Sequence, residues 1–122
     1  MRWKFDNDRP IYVQLVEHIQ RKILSGEYTV GQKLPPIREL ASEASVNPNT
    51  LQRAFAELEG KGLVYTQRTV GRFITDDPEK IIEIRSECAK GLVLEFLDNT
   101  KALGYSNQDT IALISSIKEE SE

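Results

Sequence analysis

A mainly α fold with one small β-hairpin is what this 122-residue chain predicts, and three observations carry that expectation. Apolar residues recur at helical spacing in three segments before Lys61, two short runs after it alternate instead, and a second, longer helical pattern begins at Pro78. With 39% hydrophobic and 29% charged residues, the composition is that of a folded globular protein, neither disordered nor fibrous. The length allows one compact domain with an appendage, but not two full domains.

The elements follow in order. Pro10 suits the first turn of a helix, and "IYVQLVEHIQRKILSG" places Ile11, Leu15, Ile19 and Ile23 on one side, with Tyr12, Val16 and Leu24 beside them. Gly26 supplies the stop. "EYTVGQKLPP" reads as a connector into a short helix, "IRELASEA", with Ile37, Leu40, Ala41 and Ala44 inward. Ser45-Val46 leaves room only for a tight turn. A third helix runs from Pro48 to about Gly60, with Leu51, Ala54, Phe55 and Leu58 on one face and Asn49, Gln52, Arg53 and Glu57 on the other. "LVYTQ" and "GRFIT", separated by "RTV", alternate as an antiparallel hairpin.

Asp76-Asp77-Pro78 marks a boundary, so the expected division is residues 1–76 and 77–122. The second part opens with a helix to about Leu103, some 25 residues or roughly 37 Å at ~1.5 Å per residue. Gly104 closes it. Ser106 and Asp109 then form an acidic capping box for a last helix through Ile111, Ile114 and Ile117.

Charge separates the two parts. Residues 1–76 carry 11 Lys+Arg against 9 Asp+Glu, net +2, whereas residues 77–122 carry 5 against 10, net −5. A polyanionic partner would therefore meet the first part, through local clusters and not a strong overall field. A single cysteine excludes an internal disulfide and a Cys-rich zinc site, the start lacks a signal-peptide core, and no apolar run reaches membrane-spanning length. A cytoplasmic protein without membrane contact is expected.

Three helices, the last two joined by a tight turn, and then a hairpin give the order of a winged helix-turn-helix, which presents one helix to a DNA major groove. Asn47 is placed to cap the third helix, and Pro48 occupies a position where its missing N–H costs nothing. Asn49, Thr50, Gln52 and Arg53 would then face base edges and phosphates, since amides can bond adenine bidentately and Thr offers a hydroxyl or a methyl. Arg38, Arg68 and Arg72 are cationic points that such a fold brings to the same side. A winged helix can also serve as a protein–protein module without DNA binding, and that alternative stays open at this stage.

In the tail, Ile81, Ile84, Cys88, Leu92 and Phe96 form an apolar stripe too broad for a helix of about 14 residues to cover. A second copy of the chain is the expected partner, giving a homodimer; the alternative is that the helix folds back on its own head. His18 has no ligand-spaced Asp, Glu, Cys or His, and Cys88 sits in an apolar stripe, so both read as packing residues; no metal or cofactor is expected. No phosphate loop, nucleophile elbow or carboxylate pair supports catalysis. No convergent polar group in residues 78–122 argues for a small-molecule effector.

The segment "PIYVQLVEHIQRKILSGEYTVGQKLPPIRELASEASVNPNTLQRAFAELEGKGLVYTQRTVGRFIT", Pro10 to Thr75, resembles the GntR family of transcription regulators and, within it, the short YtrA-type branch. The combination of "G-x-K-LP-x-x-REL" with "VNPNT-L-x-RA-x-x-x-LE-x-x-G-L-V" and a terminal "G-R-F-I" carries the resemblance. It implies a dimeric regulator, here expected to repress from an inverted-repeat operator in double-stranded DNA. By the same resemblance Arg38 is a phosphate or base contact, Asn47, Asn49, Thr50 and Gln52 are recognition-helix contacts, and Arg68 is the wing-tip contact. The chain departs from the family where Pro48 replaces a frequent arginine, Thr69 a glycine, and Pro36 a small capping hydroxyl.

Overall fold

A computed structural model describes residues 3–121. The elements are α1 (Ile11–Leu24), α2 (Ile37–Ala44), α3 (Pro48–Gly60), β1 (Val64–Gln67), β2 (Gly71–Ile74), α4 (Pro78–Ala102) and α5 (Asn107–Ser121). They divide into two compact units, a head up to Ile84 and a tail from Arg85.

In the head, α1, α2 and α3 and the hairpin enclose one core built from Leu15, Ile19 and Ile23 of α1, Leu40 and Ala41 of α2, Leu51, Ala54, Phe55 and Leu58 of α3, and Leu63, Val64 and Ile74 of the hairpin. These are the inward positions of the helical and alternating patterns, and burying them is what drives the three helices together. α3 packs on both α1 and α2 and also meets β1, so it is the central element of the head.

Turns set the directions. Ser45 adopts φ +57° between α2 and α3, while Val46 N–H donates to Ala41 O at 2.9 Å and Ser45 N–H to Ser42 O at 3.2 Å, a left-handed helix end made without glycine. α3 ends in the same way at Gly62, φ +81°, where Leu63 N–H donates to Leu58 O at 3.1 Å. A Cβ at Gly62 would also lie 2.9 Å from the Lys80 Cε.

The hairpin pairs Val64 with Ile74, Tyr65 with Phe73, Thr66 with Arg72 and Gln67 with Gly71. The segment read from sequence as a plain connector contributes a third edge. Leu34 N–H donates to Arg72 O at 2.9 Å, Ile74 N–H to Gln32 O at 2.9 Å and Gly31 N–H to Thr75 O at 3.0 Å, around an antiparallel bridge of Lys33 with Phe73. Both sides of β2 are thereby hydrogen-bonded. The wing's own turn, Arg68-Thr69-Val70, holds Thr69 at φ +67°, a left-handed conformation unfavourable for a β-branched residue. Thr69→Gly is expected to stabilise the head by about 0.5–1 kcal/mol, the relief of that strain less the entropy of glycine, seen as a higher melting temperature.

The amino-terminal segment is held on α1 by a buried amide: Asp6 N–H donates to Gln14 Oε1 at 2.7 Å, while Gln14 Nε2 donates to Asp6 O and Arg9 O, each at 2.9 Å. Trp3 stacks on His18 with ring centroids 4.2 Å apart, and the Lys22 ammonium sits 4.6 Å from the Trp3 centroid, paired with Glu27 at 3.5 Å. The packing role expected of His18 is found here, with Trp3 as its partner. Burial, then repulsion from Lys22 and Arg21, lowers the His18 pKa from its ordinary 6.5, against attraction from Glu27. The fold favours neutral imidazole, so this stability is complete above the unfolded value and is lost as pH falls through the depressed folded value. The melting temperature should therefore drop from about pH 7.5 to about pH 5, and His18→Phe should reduce that drop.

Asp77 begins α4, its Oδ1 accepting from Glu79 N–H at 3.0 Å. Ile81 is buried in the head's core and Ile84 is packed against it. The head thus takes in the start of α4, which the boundary expected at residues 76/77 gave to the tail. Two members of the expected dimer stripe, Ile81 and Ile84, accordingly serve the head's own core, because α4 folds back there through its first two turns.

In the tail, Gly104, φ +95°, ends α4, and the Ser106–Asp109 box starts α5 with two reciprocal bonds of 3.0 Å. Hydrogen bonding to the Asp109 carboxylate from Ser106, its backbone N–H first and its side chain second, lowers the Asp109 pKa. At the corner Thr110, fully buried, donates to Thr100 Oγ1 at 3.1 Å. Beyond it the helices leave their apolar residues uncovered.

Candidate nucleic-acid interface

The start of α3 is built by its own sequence. Asn47, in an extended conformation, caps it, with Oδ1 accepting from Asn49 N–H at 2.8 Å. Thr50 N–H and Leu51 N–H both donate to Asn47 O, at 3.0 and 3.2 Å, and Pro48 has no N–H. The first turn therefore keeps no open backbone donor, and an outside ligand must be met by side chains. Asn47 itself is divided: its oxygen belongs to the cap, and only its Nδ2 remains for a contact.

Asn49, Gln52 and Arg53 are exposed, and Thr50 is half-buried beside them. With Leu51, Ala54, Phe55 and Leu58 fixed in the core, helical periodicity keeps Asn49, Gln52 and Arg53 on the outer face. Arg38, the second residue of α2, and Arg68, at the wing turn, are also exposed. Among the described residues, Arg38, Arg53 and Arg68 have no carboxylate within ion-pairing distance. Three guanidinium groups on three elements of the head are thus uncompensated.

Two arginines behave differently from the sequence expectation. Arg72 is half-buried, its Nε donating to Glu59 Oε1 at 3.4 Å and its guanidinium lying 5.5 Å from the Phe55 ring centroid. Thr66, opposite Arg72 in the hairpin, donates to the same Glu59 oxygen. Arg72 thus fastens the wing to the end of α3 through its Nε, a bracing role that the sequence reading did not assign beside the expected DNA contact. Arg53 stays exposed, but its guanidinium carbon lies 3.6 Å from the Tyr12 ring centroid.

Sequence reasoning left two neighbouring residues unassigned. Lys33 is exposed at the bridge to β2, and its Cε lies 3.2 Å from where a Cβ at Gly71 would stand, so the absent side chain makes its seat. The signal was present in "G-x-K-LP". Tyr12 lies on α1, far from α3 in the chain, so no local pattern announces its contact with Arg53.

Chemically, this surface offers amides for base edges, a hydroxyl, and isolated cations for phosphates, with no acid–base pair or nucleophile arrangement. No group of three or more metal-ligating side chains occurs among the described residues. No described helix is long and apolar enough to cross a membrane.

Known proteins match this architecture. The family described as "Bacterial regulatory proteins, gntR family" matches residues 11–74. The HTH-type transcriptional repressor YtrA of Bacillus subtilis is 40% identical over 68 residues, 56% of this chain and 52% of YtrA. A GntR family transcriptional regulator from Listeria monocytogenes has a solved structure with a TM-score of 0.87 and 39% identity, over 92% of this chain and 98% of that one. The AraR DNA-binding domain, solved in complex with operator ORR3, superposes with a TM-score of 0.54 and 29% identity over 59% of this chain and 87% of that one. With the match spanning the three helices and the wing, and the likeness to the Listeria regulator running through the tail, the chain belongs to the GntR family and is a DNA-binding transcription regulator of the YtrA-like type.

Proposed function

We propose that the chain is a homodimeric repressor of an inverted-repeat operator, working in the cytoplasm, with α3 of each copy entering one of two major grooves. In this reading Asn49, Thr50 and Gln52 read bases, while Arg38, Arg53 and Arg68 engage the backbone. Asn47 contributes through its remaining amide. The half-sites lie about one helical turn apart, ~34 Å, or a multiple of it.

The observation that carries the dimer is the tail's surface. Leu92 is 69% exposed, Leu94 63%, Leu103 80% and Ile111 60%, with Phe96, Ile114 and Ile117 also uncovered. A soluble chain does not leave so many large apolar groups on two neighbouring helices without a partner. A second copy supplies an identical surface, and two-fold pairing closes the assembly. Cys88, half-buried, Leu92 and Phe96 remain from the expected stripe, and α5 adds Ile111, Ile114 and Ile117. Repression is supported by the relative YtrA, named a repressor. The proposal requires no small-molecule effector.

Selection of bound fragments from genomic DNA, followed by hydroxyl-radical footprinting, tests this reading. Two protected patches related by a two-fold axis are expected. One isolated patch per bound site would contradict it.

A further inference from the structure

We propose that Tyr12 positions Arg53 for a DNA backbone phosphate, its ring holding the guanidinium flat so that the first turn of α1 shapes DNA binding without touching DNA; this rests on the reading of α3 as the DNA-facing helix. The 3.6 Å separation of the Arg53 guanidinium carbon from the Tyr12 centroid is the contact distance of a face-on stack. Such a stack covers the flat face and uses none of the five N–H donors, which lie in the guanidinium plane. The other braced arginines differ. Arg72 spends its Nε on Glu59, and Arg9 gives two bonds, of 2.9 and 3.0 Å, to the Glu17 carboxylate. Arg53 has its face covered and its edge open.

The direction of the stack selects phosphate over base. Tyr12 belongs to α1, so the ring draws the guanidinium to the flank of α3 that adjoins α1, away from full extension along the α3 normal. A base-edge contact requires that extension into the groove, whereas a cation on the flank of a groove-bound helix meets the backbone. Fixing the rotamer beforehand also leaves less side-chain freedom to be lost on binding. Asn49, Thr50 and Gln52 are then left as the base readers of this face.

Fluorescence anisotropy of the full chain with a mixed-sequence duplex, titrated with salt, tests the proposal, because a phosphate contact is sequence-independent. Arg53→Ala is expected to weaken binding about 3- to 10-fold and to reduce the salt slope by about one. Tyr12→Leu should lose most of the same affinity, Tyr12→Phe should keep wild-type affinity, and the Tyr12→Leu/Arg53→Ala double variant should bind no more weakly than Arg53→Ala alone. Tyr12→Leu binding as wild type overturns the positioning role. Arg53→Ala with unchanged affinity and slope, or with a loss confined to one preferred sequence, overturns the phosphate contact. Should Tyr12→Leu unfold, NMR of the wild-type chain decides: the Arg53 Nε–H resonance must shift on DNA addition, and a resonance that stays fixed while the Asn49 and Gln52 amides move counts against the proposal. Wild type that fails to bind the duplex even at low salt refutes the DNA-facing reading of α3 itself.

Discussion

Leu92→Glu combined with Phe96→Glu is expected to turn a dimer into a monomer and to weaken operator binding by about 10²- to 10⁴-fold, the advantage that linking two binding heads confers. Both side chains are exposed in the single chain, Leu92 at 69% and Phe96 at 44%, and neither belongs to the hydrophobic core, so the substitutions leave that core intact. In a two-fold interface each glutamate would be desolvated beside its symmetry-related copy, adding repulsion to the lost apolar burial. The head should keep its melting behaviour, because its core ends at Ile81 and Ile84. Light scattering after size exclusion reads the assembly state, and anisotropy reads the affinity. A variant that stays dimeric would place the interface elsewhere.

Phe55→Ala is expected to cost the head about 3–5 kcal/mol, much of the stability that a domain of this size possesses. The side chain is 1% exposed at the centre of α3, within the cluster that α1, α3 and the hairpin share. Its ring also faces the Arg72 guanidinium, which in turn is held by Glu59. The cavity would loosen the wing brace as well as the core, so the effect should lie at the upper end of the range. Urea denaturation followed by circular dichroism should show a lower midpoint with an unchanged slope. A loss below about 1 kcal/mol would mean that the core collapses around the gap more easily than this packing allows.

The start and end of α3 were legible because each has local chemistry: Asn47 and Pro48 at one end, Gly62 at the other. The capping box at Ser106–Asp109 was legible for the same reason, being two bonds made within four residues. What escaped the sequence depends on partners distant in the chain. The Lys33–Phe73 bridge is a single pair with no alternating run to announce it. Gln14 reads as a polar residue of a helix, yet its amide is the clamp for Asp6 and Arg9. Ile81 shares its periodicity with Leu92, and periodicity does not say which of them meets the head and which lies exposed. Arg72 and Arg68 are both arginines of the wing, but only Arg72 has a carboxylate, Glu59, within reach.

The most direct test of the account is the discrimination between a selected operator and a scrambled duplex, measured by anisotropy for wild type, Asn49→Ala and Gln52→Ala. The α3 surface predicts that each variant narrows the gap by about 1–3 kcal/mol at particular base pairs while keeping its affinity for the scrambled duplex. Undiminished discrimination in both variants, or an equal loss on both duplexes, would contradict the assignment of these amides as the base-reading groups.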